Sequence, residues 1–215
     1  MLYFANPTKD PRVHELMRTG VLGYIDTPGQ GDYRAQCAGG PWCADNGCFN
    51  DQRFSEDRWW NWLQRRAAEA DTCWFATAPD VLGDAAATLE RSRPWLPRIR
   101  SLGFPVAFVA QDGIERTDVP WGEFDWLFIG GTTEFKLGPV ARRYVVKARR
   151  RGKRVHCGRV NSKKRYRYAE AIGCDSADGT FLLKSPSENL PRLMVWLDDL
   201  RNRPALFDFR EEASA

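Results

Sequence analysis

The stretch "CWFATAPDVLGDAAATLERSRPWLPRIRSLGFPVAFVA", residues 73–110, decides the fold. It opens on CWFATA (73–78), an apolar and aromatic run of strand length. It then crosses a segment with helical spacing (84–102) and returns to a second strand-like run, PVAFVA (105–110). Strand, helix, strand in that order implies parallel neighbours joined by a right-handed crossover.

The same alternation extends in both directions. Further strands are expected at LYFA (2–5), VLGYID (21–26), PWCAD (41–45), WLFIG (126–130), RVHCG (154–158) and CDSAD (174–178). Further helices are expected at 10–19, 55–70, 136–152, 161–172 and 188–201, the second opening on Ser55 with acids in its first turn. Eight strands suggest closure into a compact (β/α)8 TIM barrel, with an open doubly wound sheet as the alternative. Polar residues recur at the strand ends (Asp26, Asp45, Asp80, Gln111, Gly130, Gly131, Arg159, Asp178), and in a barrel such ends converge on one mouth. No repeat or linker divides the chain, so the barrel is expected to span 1–203, with 204–215 as a frayed tail.

Composition narrows the class. The 215 residues are 43% apolar and 28% charged, the balance of a folded globular protein. No run approaches a membrane span, and the N-terminus lacks the basic and apolar regions of a leader, so a cytoplasmic protein is expected. Six cysteines are too sparse for a disulfide scaffold and are expected to be reduced. The net charge is only +4, yet residues 142–167 carry thirteen Lys or Arg and no acid. Such a run can be a solvated helix face; interleaved with Tyr144, Tyr166 and Tyr168, it also suits a polyanion. Arg149, Arg150, Arg151, Lys153, Arg154, Arg159, Lys163 and Lys164 are the candidate phosphate contacts.

Four stretches gather the chemistry: CADNGCF (43–49), FATAPDVLGD (75–84), FVAQDG (108–113) with FIGGTTE (128–134), and GCDSADGTF (173–181). Singly, an aspartate after a strand is an ordinary cap. In this order along an alternating chain, from about residue 41 to 183, they resemble the tRNA-guanine transglycosylase superfamily. Within it the likeness is to the short 7-deazaguanine transglycosylases that act on DNA, many of them phage-encoded. The resemblance implies Asp45 as general acid/base, with Asn46 beside it on the substrate side and Phe49 stacking on the base. It implies Asp80 as acceptor for the guanine edge, Gln111 as a base contact, and Gly130 and Gly131 as backbone against the purine. In CDSADGTF it implies Asp178 as nucleophile with Asp175 as the other candidate; strand alternation points two residues three apart to opposite faces.

These residue types suit base exchange. A carboxylate can hold the sugar at C1′ as a covalent glycosyl intermediate while one base leaves and another enters. A second carboxylate can protonate the departing guanine and deprotonate its replacement. A base inside a stack must first be extruded. The implied partners are guanine-containing DNA and a free 7-deazaguanine such as the 7-cyano form.

One departure from the family stands out. Full-length tRNA-acting members carry a zinc site after the last strand, but no Cys or His follows residue 183, so no metal or other cofactor is expected. Cys37, Cys43 and Cys48 lack a CxxC pair and read as packing residues, as His14 and His156 read as structural. Three readings remain: a transglycosylase on DNA or tRNA, a glycoside or nucleoside hydrolase on the same carboxylates, and a barrel that binds nucleic acid or deazaguanine without turnover.

Overall fold

The structure, a computed structural model, describes residues 1–49 and 54–202; the expected tail at 204–215 lies outside the described residues. Eight short strands run parallel: β1 (Leu2–Ala5), β2 (Gly23–Asp26), β3 (Trp42–Ala44), β4 (Cys73–Thr77), β5 (Val106–Ala110), β6 (Trp126–Ile129), β7 (Arg154–Cys157) and β8 (Ser176–Gly179). Each pairs with the next, and β8 pairs with β1 through Leu2↔Ser176 and Phe4↔Asp178, closing a (β/α)8 TIM barrel. The expected barrel is the observed one, and the open sheet is excluded.

Alternation sorts the strand residues into two cores. Phe4, Ile25, Cys43, Phe75, Ala107 and Trp126 fill the barrel interior, with Phe75 and Trp126 at 4.9 Å between ring centroids. Tyr3, Tyr24, Trp42, Ala76, Phe108, Leu127, Val155 and Ala177 face outward into the larger core beneath the helices. The interior is a packed plug of rings with no room for a pore, so chemistry is confined to its ends.

The helices are α1 (Pro11–Arg18), α2 (Arg34–Cys37), α3 (Glu56–Gln64), α4 (Ala85–Ser92), α5 (Leu96–Ser101), α6 (Thr133–Leu137), α7 (Pro139–Arg149), α8 (Lys163–Ala171) and α9 (Pro186–Arg201). Side-chain caps start several: Ser55 accepts from the Arg58 amide, Asp84 from Ala87, Thr132 from Phe135 and Ser162 from Arg165. The helix expected at 84–102 is two, divided at Arg93–Trp95, because Pro94 has no amide to continue the ladder. The one expected at 136–152 starts earlier and divides at Gly138–Pro139 for the same reason, and the one at 55–70 ends in a 3-10 turn over Ala67–Thr72. Among the described residues no helix is long and apolar enough to cross a membrane.

Asp26 is a correction. It ends β2 on the outward face and forms a buried ion pair with Arg66, whose guanidinium stacks on Trp62 at 4.2 Å. It therefore ties α3 to the barrel and takes no part in the mouth.

Candidate active site

Asp45 follows β3, Asp80 follows β4, Gln111 follows β5, Gly130 and Gly131 follow β6, Arg159 follows β7, and Asp178 lies within β8. Since all eight strands point the same way, these residues share the C-terminal end of the barrel.

Asp45 is partly buried, and its carboxyl is pushed up from 3.8 to about 7. Burial is the main cause; Asp178 and then Asp80 add negative charge, and the Gly47 and Asn46 amides offset part of it. Asp45 thus senses both other carboxyl groups at one site and holds its proton up to near neutral pH. Asp80 is also raised, by burial, against the opposing pull of its Asn46 and Gln111 hydrogen bonds.

Asn46 and Gln111 are placed differently from the expectation that each faces the base. Asn46 Nδ2 donates to Asp80 Oδ1 and to the Ala78 carbonyl, both at 2.7 Å, while its Oδ1 accepts from the Cys48 amide at 2.8 Å. Gln111 Nε2 donates to Asp80 Oδ2, and its Oε1 accepts from the Gly83 amide at 2.9 Å. Both side chains are buried. Their amides are engaged with protein, and together they fix the plane of the Asp80 carboxylate. Two amide donors, one per oxygen, leave Asp80 its remaining lone pairs for a ligand's N–H groups.

Asp178 and Asp175 separate as strand parity requires. Asp175 lies before β8 at the opposite end of the barrel, where it accepts from the Val155 amide at 2.8 Å and pairs with Arg149 at 3.5 Å. Asp178 is at the mouth, its side chain 14% exposed, and its Oδ1 lies 2.9 Å from His156 Nε2 and 3.3 Å from the Arg159 amide. Of the two, Asp178 alone joins Asp45 and Asp80.

The loop after β7 is drawn over this carboxylate. Val160 donates its amide to the Asp178 carbonyl at 2.6 Å, and Tyr3 Oη donates to the Val160 carbonyl at 3.1 Å. Arg159 between them adopts a left-handed φ of 59°, a conformation a non-glycine residue holds only when its surroundings impose it. Its guanidinium donates to the Gly131 carbonyl and lies 5.1 Å from the ring centroid of Phe49, which is 68% exposed. Arg159 thus joins the glycine pair, the aromatic residue and the β8 carboxylate. The glycines are sterically required: a Cβ on Gly130 would stand 2.6 Å from Val109 Cγ1 and 3.0 Å from Gln111 Nε2.

The basic run divides between the two ends of the barrel. Arg159, Lys163 and Lys164 follow β7 on the mouth side, Lys163 paired with Asp199 and Lys164 exposed. Arg149, Arg150, Arg151, Lys153 and Arg154 close α7 and begin β7, at the far end. There Arg151 covers Trp121 at 4.8 Å, Lys153 donates to the Phe124 carbonyl at 2.6 Å, and Arg154 lies 5.5 Å from the Trp126 centroid. The eight candidate phosphate contacts therefore do not share one rim: a helix returns the chain to the opposite end, and five of them lie away from Asp178.

Two site residues escaped the sequence reading. Lys136, in α6, is buried and donates to the Gly158 carbonyl at 2.9 Å; burial, and then the nearby Arg159 cation, lower it to about 8. His156 is fully buried in the barrel interior. Its signal was available: a histidine at an inward position, two residues before Gly158, flanked in the strand by the apolar Val155 and Cys157.

Cys37 packs against Met17 in the outer core, and Cys43 lies in the interior plug. Among the described residues no group of three His, Cys, Asp or Glu side chains could hold a metal ion.

No protein-family model matches the chain, and no curated protein matches it. Among solved structures it is similar to a provisionally assigned glycerophosphoryl diester phosphodiesterase from Silicibacter pomeroyi DSS-3, at 13% identity and a TM-score of 0.41. The match covers 87% of this chain and 56% of that one, so the chain spans little more than half the length of this structural neighbour.

Proposed function

We propose that the chain is a base-exchange transglycosylase that replaces guanine in DNA with a 7-deazaguanine through a covalent Asp178-glycosyl intermediate. The observation that carries this reading is the meeting of three carboxylates with different environments at one barrel mouth. Asp45 keeps its proton to about pH 7, Asp80 is held by two amides, and Asp178 is restrained at one oxygen. A site that keeps one acid protonated beside a second carboxyl group is equipped to protonate a leaving base while that second group attacks.

In this reading Asp178 attacks C1′, and the electron pair of the glycosidic bond passes to guanine as Asp45 gives it a proton. Asp80 accepts hydrogen bonds from the purine edge; an orienting pair of amides makes it selective, since a base without matching donors leaves a buried carboxylate unpaired. The incoming 7-deazaguanine yields its proton to Asp45, attacks C1′ and releases Asp178. Phe49 and Arg159 offer a ring and a guanidinium for stacking an extruded base or contacting its phosphate. No metal or other cofactor enters the scheme, and the setting is the cytoplasm, that of the host for a phage-encoded chain.

The test is incubation with DNA labelled in its guanine bases plus unlabelled 7-cyano-7-deazaguanine, with tRNA in parallel. Label release together with a deazaguanine nucleoside in the digest upholds the proposal. Release without incorporation makes the protein a hydrolase, and exchange only in tRNA moves the substrate. Binding of DNA or deazaguanine with no release makes it a binding protein.

A further inference from the structure

His156 projects into the barrel interior among Phe4, Phe75 and Phe128, with ring centroids 6.0, 5.0 and 4.5 Å away. A fully buried imidazole in an aromatic plug must satisfy both nitrogens, and it does: Nδ1 lies 2.8 Å from Ser176 Oγ, and Nε2 lies 2.9 Å from Asp178 Oδ1. Ser176 and Asp178 are two residues apart on β8, so both face inward, and the His156↔Ser176 register of β7 with β8 sets the ring against both. The serine hydroxyl can donate to Nδ1, which places the proton on Nε2, facing the carboxylate.

The donors to Asp178 are asymmetric. His156 and the Arg159 amide both reach Oδ1, and among the described residues no hydrogen bond reaches Oδ2. We infer that His156 is a positioning residue that anchors Asp178 Oδ1 from below, so that Oδ2 is the oxygen that bonds to C1′. This rests on the reading of Asp178 as the nucleophile. Each bond is accounted for: Oδ2–C1′ forms as the glycosidic C–N bond breaks, the pair stays with the base, and Asp45 supplies the proton. The histidine gains and loses nothing; it holds the carboxylate in plane, with Oδ1 engaged, while the other oxygen reacts.

The chain has two histidines, so ring nitrogen signals are assigned with one His14 variant. In a 15N-labelled sample His156 is expected to carry a proton on Nε2, and Asp178→Asn is expected to move that signal. An unprotonated Nε2, or a signal indifferent to Asp178→Asn, overturns the inference. In single-turnover assays with labelled DNA, His156→Phe suits the aromatic surroundings and is expected to slow formation of the covalent adduct about 10- to 100-fold, the range for a lost charge-assisted hydrogen bond, with KM little changed. His156→Gln, whose amide can donate from nearly the same point, is expected to recover most of that rate. Folded His156→Phe at the wild-type rate, or Gln as slow as Phe, overturns it. Should the wild type exchange no base, the functional reading fails, and the Nε2 signal alone upholds or overturns the positioning.

Discussion

Asp45→Asn separates the cost of the site from its proposed benefit, because the same burial that would suit Asp45 to acid catalysis makes its ionised form destabilise the fold at higher pH. The wild-type carboxyl titrates at about 7 in the folded protein against 3.8 as its ordinary value. Its pKa is raised, so between these limits the folded chain holds more protons than the unfolded one, and stability falls as pH rises. At about 1.4 kcal/mol per pH unit, the gap amounts to a cost on the order of 4 kcal/mol, absent near pH 4 and complete above pH 7. Asparagine has nearly the same shape and no charge to bury. The expected outcome is that Asp45→Asn gains stability relative to wild type as pH rises, on the order of 4 kcal/mol between pH 4 and 8. Urea unfolding of both proteins at half-unit pH steps reads this directly, since titrating groups away from Asp45, Asp80 and Asp178 cancel in the difference. A flat difference, or a variant that loses ground as pH rises, would refute the claim that Asp45 is held protonated by burial and by its carboxylate neighbours. In the exchange assay the same variant is expected to be slower by about 10²–10⁴.

Four further outcomes are expected. Asp175→Asn should lower stability by about 1 kcal/mol and leave exchange intact, because its carboxylate serves the Val155 amide and Arg149 at the far end of the barrel; loss of exchange with unchanged stability would reverse the assignment of the two acids. Replacing Arg159 and Lys164 with alanine should weaken DNA binding and flatten its dependence on salt, whereas replacing Arg150 and Arg151 should do neither, as read by fluorescence anisotropy across a salt series. Gly130→Ala should cost about 1–3 kcal/mol in chemical denaturation and disturb Gln111, because the new methyl meets Val109 at 2.6 Å. Gln111→Ala should leave the Asp80 carboxylate with one amide donor where it had two, raising KM for the free base more than it lowers kcat.

The barrel was legible because it is written in local alternation. Seven of the eight runs begin, end or abut on a glycine, proline or acid, and strand parity alone sent Asp175 and Asp178 to opposite faces. Helix bounds were less so, since Pro94 and Pro139 interrupt patterns whose apolar period continues across them. Asp45, Asp80 and Asp178 lie after or within different strands, and only closure brings them together. What sequence could not show is who holds whom. The amides of Asn46 and Gln111 are turned onto Asp80, and the buried Lys136 and His156 belong to no motif. The basic run misled for a physical reason: charge density along the chain is blind to the reversal of direction that a helix makes between two strands.

The most direct measurement of the account's central claim is peptide mapping by mass spectrometry of the wild-type protein quenched in acid during turnover with a guanine-containing oligonucleotide and 7-cyano-7-deazaguanine. The account predicts an oligonucleotide mass on the peptide containing Asp178, localised to that residue and missing in Asp178→Asn. An adduct on Asp175 or Asp45, or exchange that proceeds at the wild-type rate in Asp178→Asn, would contradict it.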